Sequence, residues 1–173
     1  MDRSEYRKRP GGFTLISTLV ALAVIGISMA VGIPALWQIT NKIKLKQAGR
    51  ETLTAMRAAR FRAINELLQY GVIARYDNRV QVFQGNDPND ADALRQEIYL
   101  PGGVTLDLVT DFTVNGDGGF VLFNPDGSAD ATGAFQFGHH SGWAIEVRLD
   151  PASTARIRLR TWDPFELQWE ENG

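Results

Sequence analysis

From Pro10 to Asn41 the chain carries no ionisable side chain. This run limits the fold more than any other feature. A helix rises 1.5 Å per residue, and about 20 apolar residues cover the hydrocarbon core of a bilayer. The 25 residues 13–37 would reach roughly 37 Å by that rise. The run therefore predicts a transmembrane helix over 13–37, with the rest of the chain displayed from it.

Two other readings of the run fit less well. A secretory signal has a 7–15-residue apolar region before a small-x-small cleavage site. Ser28-Met29-Ala30 matches that site loosely, but the apolar run continues through Val31, Ile33, Leu36 and Trp37. A helix buried in a globular core would be shorter and would not begin so near the terminus. A retained membrane anchor is the third reading.

Charge divides the chain into three. Residues 1–12 carry four cations and two acids, residues 38–68 seven cations and two acids, and residues 69–173 seven cations and sixteen acids. The net charges are +2, +5 and −9, which give the overall −2. Arg3, Arg7, Lys8 and Arg9 keep the leader cytoplasmic under the positive-inside rule, although Lys42, Lys44 and Lys46 on the far flank argue weakly the other way. The acidity of the last segment repels nucleic acid at long range. With no cysteine there is neither a disulfide framework nor a thiolate metal site.

Within the apolar run, Ala21, Ala23, Gly26, Ala30 and Gly32 are small, and Gly26 with Ala30 forms a small-xxx-small pair that permits close helix approach. Pro34 removes a backbone donor and clashes with the preceding turn, so a kink or local melting is expected from Ala30 to Pro34. Residues 38–68 read as a stalk helix continuous with the anchor. Ile39, Ile43, Leu53, Met56, Ala63 and Leu67 recur at mixed steps of three and four, and its C-terminal half should pack on the following domain. Arg50, Arg57, Arg60 and Arg62 read as a solvated face, or as contacts to lipid head groups or to acidic patches on neighbours.

From Gly71 the period changes to two. Val72, Ala74 and Tyr76 alternate before Asp77-Asn78, and Val80 and Val82 follow, which makes a hairpin. Residues 85–93 form a polar loop. Further strands are expected at 97–100, from 104 to 108 with 112–114 as an extension, at 120–123 before Asn124-Pro125-Asp126-Gly127, at 134–137, at 143–149 as a half-buried strand, and around Ile157 and Leu159. One long helix followed by many short strands implies an α+β protein with an antiparallel β-sandwich in residues 69–173.

Gly12 followed by Phe13-Thr14-Leu15-Ile16, after a basic leader and before an uncharged helix with a proline, resembles the type III signal of type IV pilins and type II secretion pseudopilins. The resemblance implies that a prepilin peptidase cuts between Gly12 and Phe13, removes leader 1–12 and methylates the new terminal phenylalanine. It also implies helices that leave the bilayer and pack side by side in a filament. That family usually has a glutamate five residues into the mature chain, where this sequence has Ser17. The glutamate is thought to neutralise a neighbour's terminal amine, and subunits without it tend to sit at the filament tip. A tip position is the corresponding expectation here, beside the alternative that a minor subunit merely tolerates serine.

The element order sharpens the resemblance. A helix, a hairpin, Leu100-Pro101-Gly102-Gly103-Val104, Phe123-Asn124-Pro125-Asp126-Gly127-Ser128 and a last hairpin ending Ala155-Arg156-Ile157-Arg158 are similar to GspH/FimT-family minor pseudopilins. Some FimT-like proteins bind DNA through a C-terminal Gly-Arg-x-Arg motif. Here Ala155 replaces that glycine, and Arg156, Arg158 and Arg160 follow it as a strand face for DNA or partner contact, or for pairing with Glu146 and other acids.

Signs of other chemistry are few. His139-His140 are adjacent and make a poor ligand pair, more consistent with a turn. Asp117, Asp126 and Asp130 do not follow a calcium-loop spacing and read as turn residues. No nucleophile elbow, phosphate loop or zinc signature occurs. Trp162, Phe165 and Trp169 either cap the sandwich or form a partner surface. The expectation is a non-enzymatic minor pseudopilin of the type II secretion system, with no metal and no cofactor, held by a single span in a bacterial inner membrane with its C-terminal domain in the periplasm. Its implied partners are other pseudopilins or minor pilins, the prepilin peptidase and the inner-membrane assembly platform. A type IV pilus minor subunit, with DNA binding in natural transformation, is the alternative. A membrane-tethered periplasmic enzyme is the contrasting class.

Overall fold

The computed structural model describes residues 15–164 and 166–172, with the side chains of residues 31–36, 38 and 172 outside that description. The leader, Gly12, Phe13 and Phe165 lie outside the described residues. Among the described residues one α-helix, α1 (Leu15–Glu66), precedes a short 3-10 turn at Ala91–Ala93 and ten strands. These are β1 (Tyr70–Arg75), β2 (Arg79–Gln84), β3 (Leu94–Tyr99), β4 (Val104–Thr110), β5 (Thr113–Asn115), β6 (Gly118–Phe123), β7 (Gly133–His139), β8 (Ala144–Leu149), β9 (Ile157–Asp163) and β10 (Gln168–Asn172). The chain is α+β, and its strand pairs are antiparallel. It divides into two compact units, Met1–Gln38 and Ile39–Gly173.

In the first unit the described side chains are exposed, among them Leu15, Ile16, Leu19, Val20, Leu22 and Ile25. Among the described residues no helix is both long and apolar enough to cross a membrane. The helix runs through Pro34 without a break, so the local melting expected there is not seen. A proline deprives the ladder of one donor, and a helix can continue around that single loss.

In the second unit, one sheet has the order β3-β2-β1-β6-β5 and the other β10-β9-β8-β7-β4. Val72, Val80, Val82, Val121 and Phe123 from the first sheet share a core with Phe135, Phe137, Ile145, Val147 and Leu149 from the second. Residues 39–66 of α1 add Leu45, Ala48, Ala55, Met56, Ala59 and Ala63 to it. The expected helix face therefore needs correction. Met56 and Ala63 are buried, but Ile39, Ile43 and Leu67 are exposed. The buried face is set by small side chains, which let the helix backbone come close. A Cβ on Gly49 would stand 2.7 Å from Ile145 Cδ1 and 2.9 Å from Leu159 Cδ1. The helix stops at Glu66 and not at 68, because Leu67 turns left-handed at φ 56°.

The strands follow their period. Arg75 and Arg79 close the β1–β2 hairpin around Asn78 at φ 66°, a left-handed position that asparagine tolerates well. Arg75 then holds the 85–93 loop by donating from Nη2 to the Pro88 carbonyl at 2.9 Å. Ile73, Phe83 and Ala93 form a second, smaller buried cluster on β1, β2 and that loop. The stretch 112–114 does not extend β4. Asp111 adopts φ 58° and β5 crosses to the other sheet, pairing with β6. Phe112 stays in the core, with its ring centroid 4.8 Å from that of Phe135.

β8 is also not half-buried as expected. Lying between β7 and β9, it buries Glu146 as well as Ile145 and Val147. The aromatic tail becomes edge strand β10, whose Trp169 sits opposite Trp162 with ring centroids 5.6 Å apart.

Candidate functional site

The helix positions Lys46, Arg50, Leu53, Arg57, Arg60 and Ile64 recur at steps of four, three, four, three and four. That spacing places them on one stripe of α1. In the second unit this stripe faces the start of β9, and the two form an open groove of about 800 Å³. Leu53, Phe61, Ile64, Ile157 and Leu159 contribute apolar surface to it. Phe61 is 68% exposed and Ile64 42% exposed. Lys46, Arg50, Arg57, Arg60, Arg156 and Arg158 surround that surface with positive charge, against the single carboxylate of Glu171.

The cations are held to different degrees. Arg60 donates from Nε to the Gly127 carbonyl at 2.8 Å, which ties the helix to the Asn124-Pro125-Asp126-Gly127 turn. That turn is self-braced. The Ser128 hydroxyl, and after it the Ser128 amide, hold the Asp126 carboxyl below the usual carboxylate range. Arg158 meets Glu171 at 3.5 Å, yet its Nε is buried with no partner among the described residues. Lys46, Arg50, Arg57 and Arg156 meet no carboxylate among the described residues. A bare guanidinium in a groove presents a planar fork of donors suited to carboxylate or phosphate.

The structure splits the expected arginine trio. Arg156 and Arg158 line the groove, whereas Arg160 does not and sits 3.7 Å from Glu146. Glu146 also binds Arg148 at 3.0 Å, and cross-strand pairing with acids holds for Arg160 with Glu146 and for Arg158 with Glu171. From sequence, Arg50, Arg57 and Arg60 read as a solvated face or as contacts to lipid head groups or acidic patches, and the structure sets them on the groove. Their regular spacing was the signal available for a stripe, but nothing local indicated that β9 would lie opposite. In the first unit, Ser17 and Ala30 lie on the exposed helix surface, and a Cβ on Gly26 would meet nothing within 4 Å. Only the backbone of Pro34 is described. The histidines lie at the end of β7 with ring centroids 3.9 Å apart, and no cluster of metal-ligating side chains occurs among the described residues.

The family model for the type II transport protein GspH matches residues 48–158, and that for the prokaryotic N-terminal methylation motif matches residues 7–33. The chain belongs to the GspH family. The GspH match runs from the second half of α1 to the start of β9, so it contains most of the groove's lining, with Lys46, Leu159 and Glu171 outside it. No curated protein sequence matches this GspH-family chain.

Among solved structures, the type IV minor pilin FimU of Pseudomonas aeruginosa PAO1 is similar at 14% identity and a TM-score of 0.50, over 78% of this chain and 96% of that one. The minor pseudopilin EpsH from the Type 2 Secretion System of Vibrio cholerae is similar at 13% identity and a TM-score of 0.49, over 66% and 95%. The likeness to FimU is one of fold. GspH-family chains are pilin-like structural subunits and not enzymes.

Proposed function

We propose that this chain is a minor pseudopilin of a periplasmic pseudopilus that drives protein secretion through the type II system. The observation that carries the reading is the joint presence, on one chain, of a methylation motif at 7–33 and a GspH domain at 48–158. On this reading residues 1–12 are a leader cut by the prepilin peptidase between Gly12 and Phe13. Residues 13–37 hold the chain in the inner membrane by a single span until the assembly platform extracts it. Residues 38–68 are the stalk, and 69–173 the periplasmic domain. The open surface at Gly26, with Ala30 one turn on, suits close packing against sister helices. Ser17 offers no carboxylate to a neighbour's terminal amine, which suits a tip position.

A pilus minor subunit is the second reading, favoured by the likeness to the FimU fold. Deleting the gene separates the two. Accumulation of secreted proteins in the periplasm with pili intact supports secretion, and lost piliation or lost DNA uptake supports the pilus. The mass and first residue of the protein purified from host membranes test the processing step. Methylated Phe13 is expected, and an unprocessed or Val31-initiated chain would overturn it. Replacing Ser17 with glutamate and finding the subunit incorporated at the same position would remove the argument for the tip.

A further inference from the structure

We propose that the groove between α1 and the start of β9 is a docking site for an extended acidic polypeptide segment with alternating apolar side chains. Three observations favour this occupant. The first is charge complementarity. Arg50, Arg57 and Arg156 flank the groove with no carboxylate partner among the described residues, and Arg158 has a buried Nε without an acceptor. The second is a carboxylate already in place. Glu171 lies 3.5 Å from Arg158, so a side-chain carboxylate on an extended strand reaches this wall. The third is the apolar floor. Leu53, Ile64, Ile157 and Leu159 line the same groove as these cations, so the alternate side chains of an extended segment can meet them.

The same features disfavour nucleic acid. Single-stranded polyanions are held on several stacking aromatics, and among the described residues Phe61 is the one aromatic lining the groove. Residues 69–173 carry a net −9, which opposes the approach of a long polyanion more than that of a short peptide with a few carboxylates. The inference rests on the groove alone and holds for either filament reading.

The test is fluorescence anisotropy with the full-length protein in mild detergent. The probes are a labelled peptide of alternating Glu and Leu, the same peptide with Gln for Glu, and a labelled oligothymidylate. Binding of the Glu peptide is expected to weaken with added salt and to exceed that of both other probes. Arg50→Glu with Arg57→Glu should weaken it by roughly tenfold or more, a loss of about 1.4 kcal/mol. Both side chains are exposed, so the thermal midpoint should stay put, and Arg156→Ala gives a second, milder variant. The proposal is overturned by tighter binding of the oligothymidylate, by equal binding of the Gln peptide, by an affinity indifferent to the charge reversals, or by no peptide binding. Sedimentation of the protein alone adds one more arm. Self-association lost in the charge-reversed variant would make a second copy the occupant and overturn the proposal.

Discussion

Phe83 closes over Gly71, its register partner across the β1–β2 hairpin, so tightly that a Cβ on Gly71 would stand 2.2 Å from Cζ and 2.7 Å from both Cε atoms. Phe83 is itself 1% exposed, so its ring cannot swing into solvent without opening the smaller core cluster. Gly71→Ala is therefore expected to destabilise the fold by about 1–3 kcal/mol, the usual cost of overpacking. A urea titration would read this as a lower midpoint at unchanged slope, and an unchanged midpoint would show that the ring yields freely.

Glu146 serves two arginines from a buried position in β8. Removing its carboxylate leaves both guanidinium groups without that partner, while removing Arg160 leaves Glu146 still bound to Arg148. Glu146→Ala should cost about 1–3 kcal/mol. Arg160→Ala should cost no more than about 1 kcal/mol, because its side chain is partly exposed. Thermal midpoints of the two variants give the order, and the reverse order would contradict this account.

His139 sets a pH dependence. Its Nδ1 accepts from the Ser141 amide at 3.2 Å, which requires the neutral ring. Burial, then the neighbouring His140 and then Lys44, lower its pKa below the ordinary 6.5. Between the lowered folded value and 6.5 the unfolded chain binds more protons than the folded one. Stability therefore rises with pH across that window and is lost as pH falls through it. Urea midpoints should decline on acidification below about 6.5. His139→Gln should flatten that part of the profile, and a variant with the same slope as the parent would assign the effect elsewhere.

The bond from Arg60 to the Gly127 carbonyl joins α1 to the Asn-Pro-Asp-Gly turn. Arg60→Ala should cost about 1 kcal/mol, the net worth of one such hydrogen bond. It should also speed amide exchange at Gly127 and Ser128 relative to β7 and β8. Uniform exchange across these segments would mean that the turn is held without Arg60, by bonds such as those from Ser128 to Asp126 and from Gln69 to Asn124.

Period and punctuation determined much of this chain. The uncharged run, the Gly-Phe junction, the two-residue alternation after Gly71 and the Asn-Pro-Asp-Gly stop are local features, and local features survive in a linear reading because neighbours in sequence remain neighbours in space. They were enough for α+β and for the family. Three matters belonged to the tertiary structure. The buried face of α1 sets Ala48, Ala55, Ala59 and Ala63 with Gly49 between the larger Leu45 and Met56, since the sheet approaches too closely at Gly49 for a side chain. Residues 113–115 join the other sheet, since one left-handed residue at Asp111 redirects the chain. The groove needs Arg50 and Arg57 beside Arg156 and Arg158, on segments about a hundred residues apart. Charge acts through space, and which charges share a space is decided only when the core is packed.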